Sequence, residues 1–209
     1  MVSEHRRRDD IMRLIGSDLS RVIISDRAKV YDAWGNRQLC WSHVLRDFNF
    51  ISESRSGRQK GGVLVRRAHR LFEINRAWLS GELSERIYIW IAQLLRADVH
   101  AALTALSEQP RLSWIARGKV RTLLKQEEYL WTFLKLPFLP IHNNSQEREL
   151  RNPVIKRKLS FGNDTLLGGQ RYAQLLSISR TLERQGRCWR EWFVNLCNGY
   201  VSSLLPVLE

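Results

Sequence analysis

Residues 21–26 read Arg-Val-Ile-Ile-Ser-Asp, a β-branched run that ends in a carboxylate. Branching at Cβ stiffens χ1 and suits a pleated surface, so the run predicts a buried strand whose last residue, Asp26, reaches the rim of a sheet. Downstream, Gly35-Asn36 supplies turn chemistry, and Arg37 to Trp41 (Arg-Gln-Leu-Cys-Trp) predicts a second short strand before a helix from near Ser42 to Ile51. Upstream, the first twenty residues are polar and arginine-rich, with a short helix around Ile11 to Leu14, and read as a connector. The chain opens as α/β.

Its middle has a different period. The Ser-, Arg- and Gly-rich stretch from Ser52 to Gly62 reads as a loop. Beyond it, Leu64, Ala68, Leu71 and Phe72, then Ile87, Ile91, Leu94, Leu95 and Val99, then Val120, Leu123, Leu124, Leu130 and Trp131 recur at helical steps. Residues 63–135 therefore predict an all-helical bundle. Leu136 to Pro140 (Leu-Pro-Phe-Leu-Pro) returns the chain to an extended connector. A short helix is expected from near Asn144 to Asn152, stopped by Pro153, followed by a loop holding Phe161-Gly162 and Gly168-Gly169. Two further helices follow, Arg171 to Arg184 ending at Gly186, and one carrying Trp189, Trp192, Phe193, Leu196, Cys197 and Tyr200. The expected class is α/β, helix-dominated. Its expected parts are a connector (1–20), a first core segment (21–52), a helical insertion (53–140) and a second core segment with C-terminal helices (141–209).

With 209 residues, 44% of them hydrophobic and only 12 Gly and 5 Pro, the chain can bury a sizeable core. No apolar run reaches the roughly 18 residues of a bilayer span, and three cysteines without repeated spacing propose neither a disulfide framework nor a four-cysteine zinc site. A cytoplasmic protein with no membrane partner is expected. Thirty-four Lys and Arg against 21 Asp and Glu leave a formal charge of +13, the sign expected of a protein that meets phosphate backbones. Between Gln146 and Ser160 lie five bases, Arg148, Arg151, Lys156, Arg157 and Lys158, against Glu147 and Glu149. They are candidates for a DNA track, with Arg148 and Arg151 three apart on one helix face; a solvated charged surface is the alternative.

Two carboxylates on rigid elements, Asp26 and Glu147, are candidates to share divalent metal, since phosphoryl transfer uses such pairs to hold Mg²⁺. The ordinary alternatives are a strand-end turn for Asp26 and a helix cap from Asn144 to Glu147. Cys40 and His43 have the spacing of half a zinc site without a second half. Cys188 and Cys197 read as small core residues, and Trp90, Trp131, Trp192 and Phe193 as core aromatics. No Gly-x-x-x-x-Gly-Lys loop and no Gly-x-Ser-x-Gly elbow occurs, which argues against nucleotide hydrolysis and esterase chemistry.

Four blocks in order carry a family likeness: Ile24-Ser25-Asp26-Arg27 with Tyr31; Arg37-Gln38-Leu39-Cys40-Trp41-Ser42-His43 running into Leu45-Arg46-Asp47-Phe48; Asn143-Asn144-x-x-Glu147-Arg148-x-Leu150-Arg151; and Arg157-Lys158-Leu159-Ser160-Phe161-Gly162. Together they resemble the C-terminal part of the insertion-sequence DDE transposases of the bacterial family numbered sixty-six. The resemblance implies an incomplete ribonuclease-H-like catalytic domain interrupted by an all-helical insertion. It further implies that Asp26 and Glu147 match the second and third of three acids that hold Mg²⁺ while a hydroxyl attacks a DNA phosphodiester. Arg148 and Arg151 then stand where backbone or leaving-group charge is met.

Cys40 and His43 match a family block in which Ser42 replaces Ala, and Asn143-Asn144 match its paired asparagines behind His142. The first acid has no counterpart, because Asp9, Asp10 and Asp18 lack a strand context. The expectation is a truncated, catalytically incomplete transposase that binds transposon-end DNA and associates with full-length transposase or itself. The alternative is a non-catalytic basic DNA-binding or assembly protein that modulates a full-length enzyme.

Overall fold

The computed structural model describes residues 8–16, 18–32, 34–159, 163 and 165–199. Ser160, Phe161, Gly162 and Tyr200, and the side chain of Arg157, lie outside the described residues. The chain divides into two compact units: Gly16–Asn144 is one, and residues 8–15 with those from Ser145 onward make the other.

The first unit begins with β1 (Ile23–Ser25) and β2 (Arg37–Leu39), paired in parallel with Ile24 opposite Gln38. Both strands are shorter than predicted. Cys40 N–H still donates to Ser25 O (2.9 Å), but Trp41 N–H turns away to Ile141 O (3.0 Å), so the chain has left the ladder and started a helix. Parallel strands normally need a helical crossover. Here, among the described residues, the link holds a 3-10 turn, Lys29–Tyr31, and no α-helix. All three residues of β2 are buried, and the segment after Tyr129 covers it with polar bonds. Gln38 Nε2 donates to Leu130 O (2.9 Å), Phe133 N–H donates to Gln38 Oε1 (3.0 Å) and Thr132 Oγ1 donates to Arg37 O. Buried polar groups thereby find partners on a sheet of two strands.

Four long helices follow. Numbering the short N-terminal helix Arg8–Ile15 as α1, they are α2 (Trp41–Glu53), α3 (Arg58–Leu79), α4 (Glu85–Ser107) and α5 (Trp114–Lys125), with a short α6 (Glu127–Leu130) and a 3-10 turn (Thr132–Leu134) after them. Their inward stripes form one core in which aromatic rings touch in series. Phe48 meets Trp41 (6.3 Å), Trp41 meets Trp131 edge-on (4.9 Å), Trp131 meets Phe133 (5.9 Å), and Tyr88 bridges Phe133 to Trp78. Burial pushes the Tyr88 hydroxyl above its usual range, and it donates to Asn75 Oδ1 (3.1 Å).

The stretch read as a loop from Ser52 to Gly62 is corrected: α3 already begins at Arg58 and contains Gly61 and Gly62. A Cβ on Gly61 would lie 2.7 Å from Ser52 Cα and N, so the missing side chain is what lets α3 cross α2 closely. Gly62 faces outward, where a Cβ would meet only Arg66 Nη1 at 3.5 Å. Opposite outcomes are expected. Gly61→Ala loses about 1–3 kcal/mol by overpacking despite alanine's better helix propensity, whereas Gly62→Ala gains up to ~1 kcal/mol. Urea unfolding of both variants checks the pair, and equal shifts would contradict the close crossing.

The second unit contains α7 (Asn144–Glu149) from Ser145 onward, α8 (Arg151–Leu159), α9 (Leu166–Arg184) and α10 (Trp189–Cys197). Two boundaries differ from expectation. Pro153 lies inside the first turn of α8, where a missing N–H costs little; what it denies is a bond to Glu149 O, and the helix restarts there instead of stopping. Gly168 and Gly169 begin α9 rather than forming a loop, because Thr165 Oγ1 caps the helix by accepting from Gly168 N–H (3.0 Å). At its other end Gly186 adopts φ +66°, and Arg187 N–H reaches back to Leu182 O (2.8 Å).

Several expected core residues are exposed. Trp90 is 60% accessible on α4, since the core takes the stripe of Tyr88, Ala92, Leu95 and Val99 and leaves Ile87, Trp90 and Leu94 outside. Phe193, Cys188 and Cys197 are likewise exposed, α10 burying none of its residues. Trp131 is core, as its spacing predicts.

Candidate active site at the strand ends

Asp26 and Cys40 each stand one residue past the carboxyl end of a strand, and the Cys40 N–H to Ser25 O bond fixes them on neighbouring strands. Carboxyl ends of parallel strands are where loops and helix N-termini converge on ligands in α/β sheets. Asp26 is half-buried, and its Oδ1 accepts from Ala28 N–H (3.1 Å), a local bond that orients the carboxylate. Cys40 is buried and serves as the N-cap position of α2 without a side-chain cap bond.

From that cap, positions 40, 43 and 47 recur on one face of α2. Cys-x-x-His spacing therefore puts Cys40 and His43 on the same side of α2, at its N-terminal end. His43 Nε2 lies 3.3 Å from Arg46 Nη2. Trp41 N–H to Ile141 O brings the returning connector back to the same place, where His142 packs against Phe72 (5.9 Å) and Asn143 and Asn144 are half-buried.

Sequence reading assigned no role to Asp47, the next residue of this face. Its side chain is 7% exposed and forms ion pairs with Arg27, the neighbour of Asp26, and with Lys119 Nζ on α5 (2.5 Å). Burial holds the Arg27 guanidinium below its ordinary range, with Asp26 pulling it back up. Burial also lowers the Lys119 ammonium, and Arg27 adds to that. One carboxylate thus ties the strand-end loop, α2 and α5 together. The available signal was position alone: four residues after His43.

In the second unit Glu147 occupies the first turn of α7, half-buried, with Arg148 exposed beside it. Arg148 and Arg151 do not share one continuous helix: α7 ends at Glu149 and Arg151 opens α8, the interruption that Pro153 causes. Arg151 and Lys158 are exposed. Lys156 is already engaged, donating to Asn163 Oδ1 (3.0 Å) and lying over the Tyr172 ring (3.9 Å). Arg180 and Arg184 of α9 pair with Glu149 (3.5 and 3.2 Å), which offsets the acid next to Arg148.

Asp26 and Glu147, the expected metal ligands, are oxygen donors of the kind Mg²⁺ takes. They belong to different units. Among the described residues no helix is long and apolar enough to cross a membrane. A family model described as Transposase IS66 family matches residues 2–171. No curated protein and no solved structure matches the chain.

Proposed function

The chain belongs to the IS66 transposase family, and from that premise we propose that Asp26 and Glu147 are the second and third acids of a ribonuclease-H-like centre acting on transposon-end DNA. The observation that carries the reading is the position of Asp26: a half-buried carboxylate one residue beyond a parallel strand, beside the N-terminus of α2. In the proposed organisation residues 21–52 and 141–209 build the centre and 53–140 form its helical insertion. The two carboxylates would hold Mg²⁺, which would supply Lewis-acid polarisation of the phosphodiester. The chain's own contribution is placement. The Ala28 N–H bond orients Asp26, the Asp47 pair fixes Arg27 next to it, and Arg148 and Arg151 offer exposed cations to backbone phosphates. Cys40 and His43 have two roles open to them, packing that positions the neighbouring strand and metal binding.

In this reading Asp26 and Glu147 account for two of the three acids, so the purified 209-residue chain is expected to be catalytically incomplete by itself. Two measurements test this. Calorimetric titration with Mn²⁺ in place of Mg²⁺ is expected to show weak binding that disappears in both Asp26→Asn and Glu147→Gln; binding indifferent to either change removes the shared site. In a Mg²⁺-dependent assay the purified chain is expected to leave DNA un-nicked, and robust nicking abolished by Asp26→Ala would refute the incompleteness. The formal charge of +13 favours a second reading, a DNA-binding partner of a complete transposase or of itself. It gains ground if neutralising Arg148, Arg151, Lys156 and Arg157 ends DNA binding while Asp26→Asn is silent.

A further inference from the structure

Positive charge is not spread evenly over the helical segment. Along α3 there are six Lys and Arg and one acid, Glu73, whereas α4 carries two bases and two acids. The buried stripe of α3 is Gly61, Leu64, Ala68, Leu71, Ile74 and Asn75. At 100° per residue, Arg58, Gly62, Arg66, Arg70, Glu73 and Arg76 project from the opposite side. Four of those six are arginine, all exposed. Arg70 pairs with Glu73 (3.1 Å) and Arg67, at the edge of the stripe, with Asp98 of α4 (2.8 Å). Among the described residues no carboxylate lies within ion-pair distance of Arg58, Arg66 or Arg76.

We propose that this outer face of α3 is a second DNA-contact surface, which takes the phosphate backbone of duplex DNA without reading its sequence. From Arg58 to Arg76 the helix rises about 27 Å, enough to follow roughly eight base pairs of backbone. Ordinary solvated helices mix signs so that neighbours three and four apart pair. This face leaves three guanidinium groups over, which is the pattern a polyanion completes. Gly62 sits between Arg58 and Arg66 on that line and gives the backbone no side chain there, so a phosphate strand can approach closely. Apolar residues that would insert into a lipid surface are missing from the stripe, the exposed Leu79 falling in line with Gly61 and not with the arginines, so a membrane fits it poorly. The partner is therefore DNA rather than anionic lipid.

The inference rests on the DNA-binding reading above and is tested separately from it. Fluorescence anisotropy of the full chain with a 25-base-pair duplex (about three times the length that α3 spans) measures affinity across a salt series. Arg58→Gln/Arg66→Gln/Arg76→Gln is expected to weaken binding by about tenfold or more and to flatten the log–log salt slope by about 2.7, the value for three lost phosphate contacts. A control of equal charge change, Arg86→Gln/Arg96→Gln/Arg111→Gln, also exposed, is expected to shift both far less. Glu73→Gln removes the only acid on the face and frees Arg70, so it is expected to tighten binding and steepen the slope by about one, a gain that misfolding cannot produce. Equal effects of the two triple variants reduce the face to net charge and overturn the proposal, as does a Glu73→Gln chain that binds no tighter. Preference of the wild-type chain for anionic vesicles over the duplex also overturns it. If the wild-type chain fails to bind duplex DNA at low salt, both readings fall; if it binds and the α3 variants match it, only this one does.

Discussion

Asp47→Ala is expected to destabilise the protein by about 3–5 kcal/mol, the cost of removing one partner from a buried ion pair. The penalty comes from what remains. Arg27 keeps a side chain only 19% exposed and Lys119 one 32% exposed, two cations already disfavoured by burial and by each other. Asp26 is the carboxylate that already acts on Arg27, so without Asp47 Arg27 is expected to turn toward Asp26 and disturb the strand-end carboxylate. For a chain of this length the change corresponds to a fall in Tm of about 6–20 °C. Asp47→Asn keeps shape and hydrogen bonding but not charge and is expected to lose less. Combining Asp47→Leu with Arg27→Met and Lys119→Met replaces all three charges and is expected to recover most of the stability, since apolar substitutes for buried ion pairs are often neutral or better. Chemical denaturation gives each value. A loss below about 1 kcal/mol for Asp47→Ala would mean that solvent screens the pair as at an exposed site.

That interaction illustrates what a sequence shows and what it hides. Asp47 stands in a quoted block, yet its partner Lys119 lies 72 residues further on, and nothing local announces the pairing. By contrast, the strand ending at Asp26 was legible because β-branching and a terminal carboxylate are local signals, and the structure places a strand at Ile23–Ser25. Helical periodicity located the bundle but not which of two apolar stripes on α4 faces inward, so Trp90 was expected inside and is outside. Glycine misled twice for one reason. By composition Gly61 and Gly168 predict loops, whereas one permits a close helix crossing and the other lies in a capped first turn. Both are tertiary or capping demands that composition cannot separate from turn chemistry. Cys-x-x-His was legible as a spacing, and its consequence, one face of α2, needed the helix start at Trp41 to be known.

Trp41→Ala is expected to cost about 3–5 kcal/mol and, beyond that, to loosen the strand ends. The ring is fully buried, edge-on to Trp131 and Phe48, and its Nε1–H donates to Leu130 O (2.9 Å). Gln38 Nε2 donates to the same carbonyl, so the two side chains jointly hold the 130–133 segment over β2. Because Trp41 is the first residue of α2, next to Cys40 and two before His43, its ring anchors the helix end that closes the candidate site. Trp41→Phe separates the two contributions. It keeps most of the apolar contact and deletes the indole donor, and with Gln38 still bonded to Leu130 O the loss is expected to be about 1–2 kcal/mol. If Trp41→Phe costs as much as Trp41→Ala, the hydrogen bond rather than ring packing sets the anchor; if both are near neutral in urea unfolding, α2 is held from elsewhere. The double-mutant cycle with Gln38→Leu then measures coupling through the shared carbonyl, expected at 0.5 kcal/mol or more, about the lower bound for residues in one hydrogen-bond network.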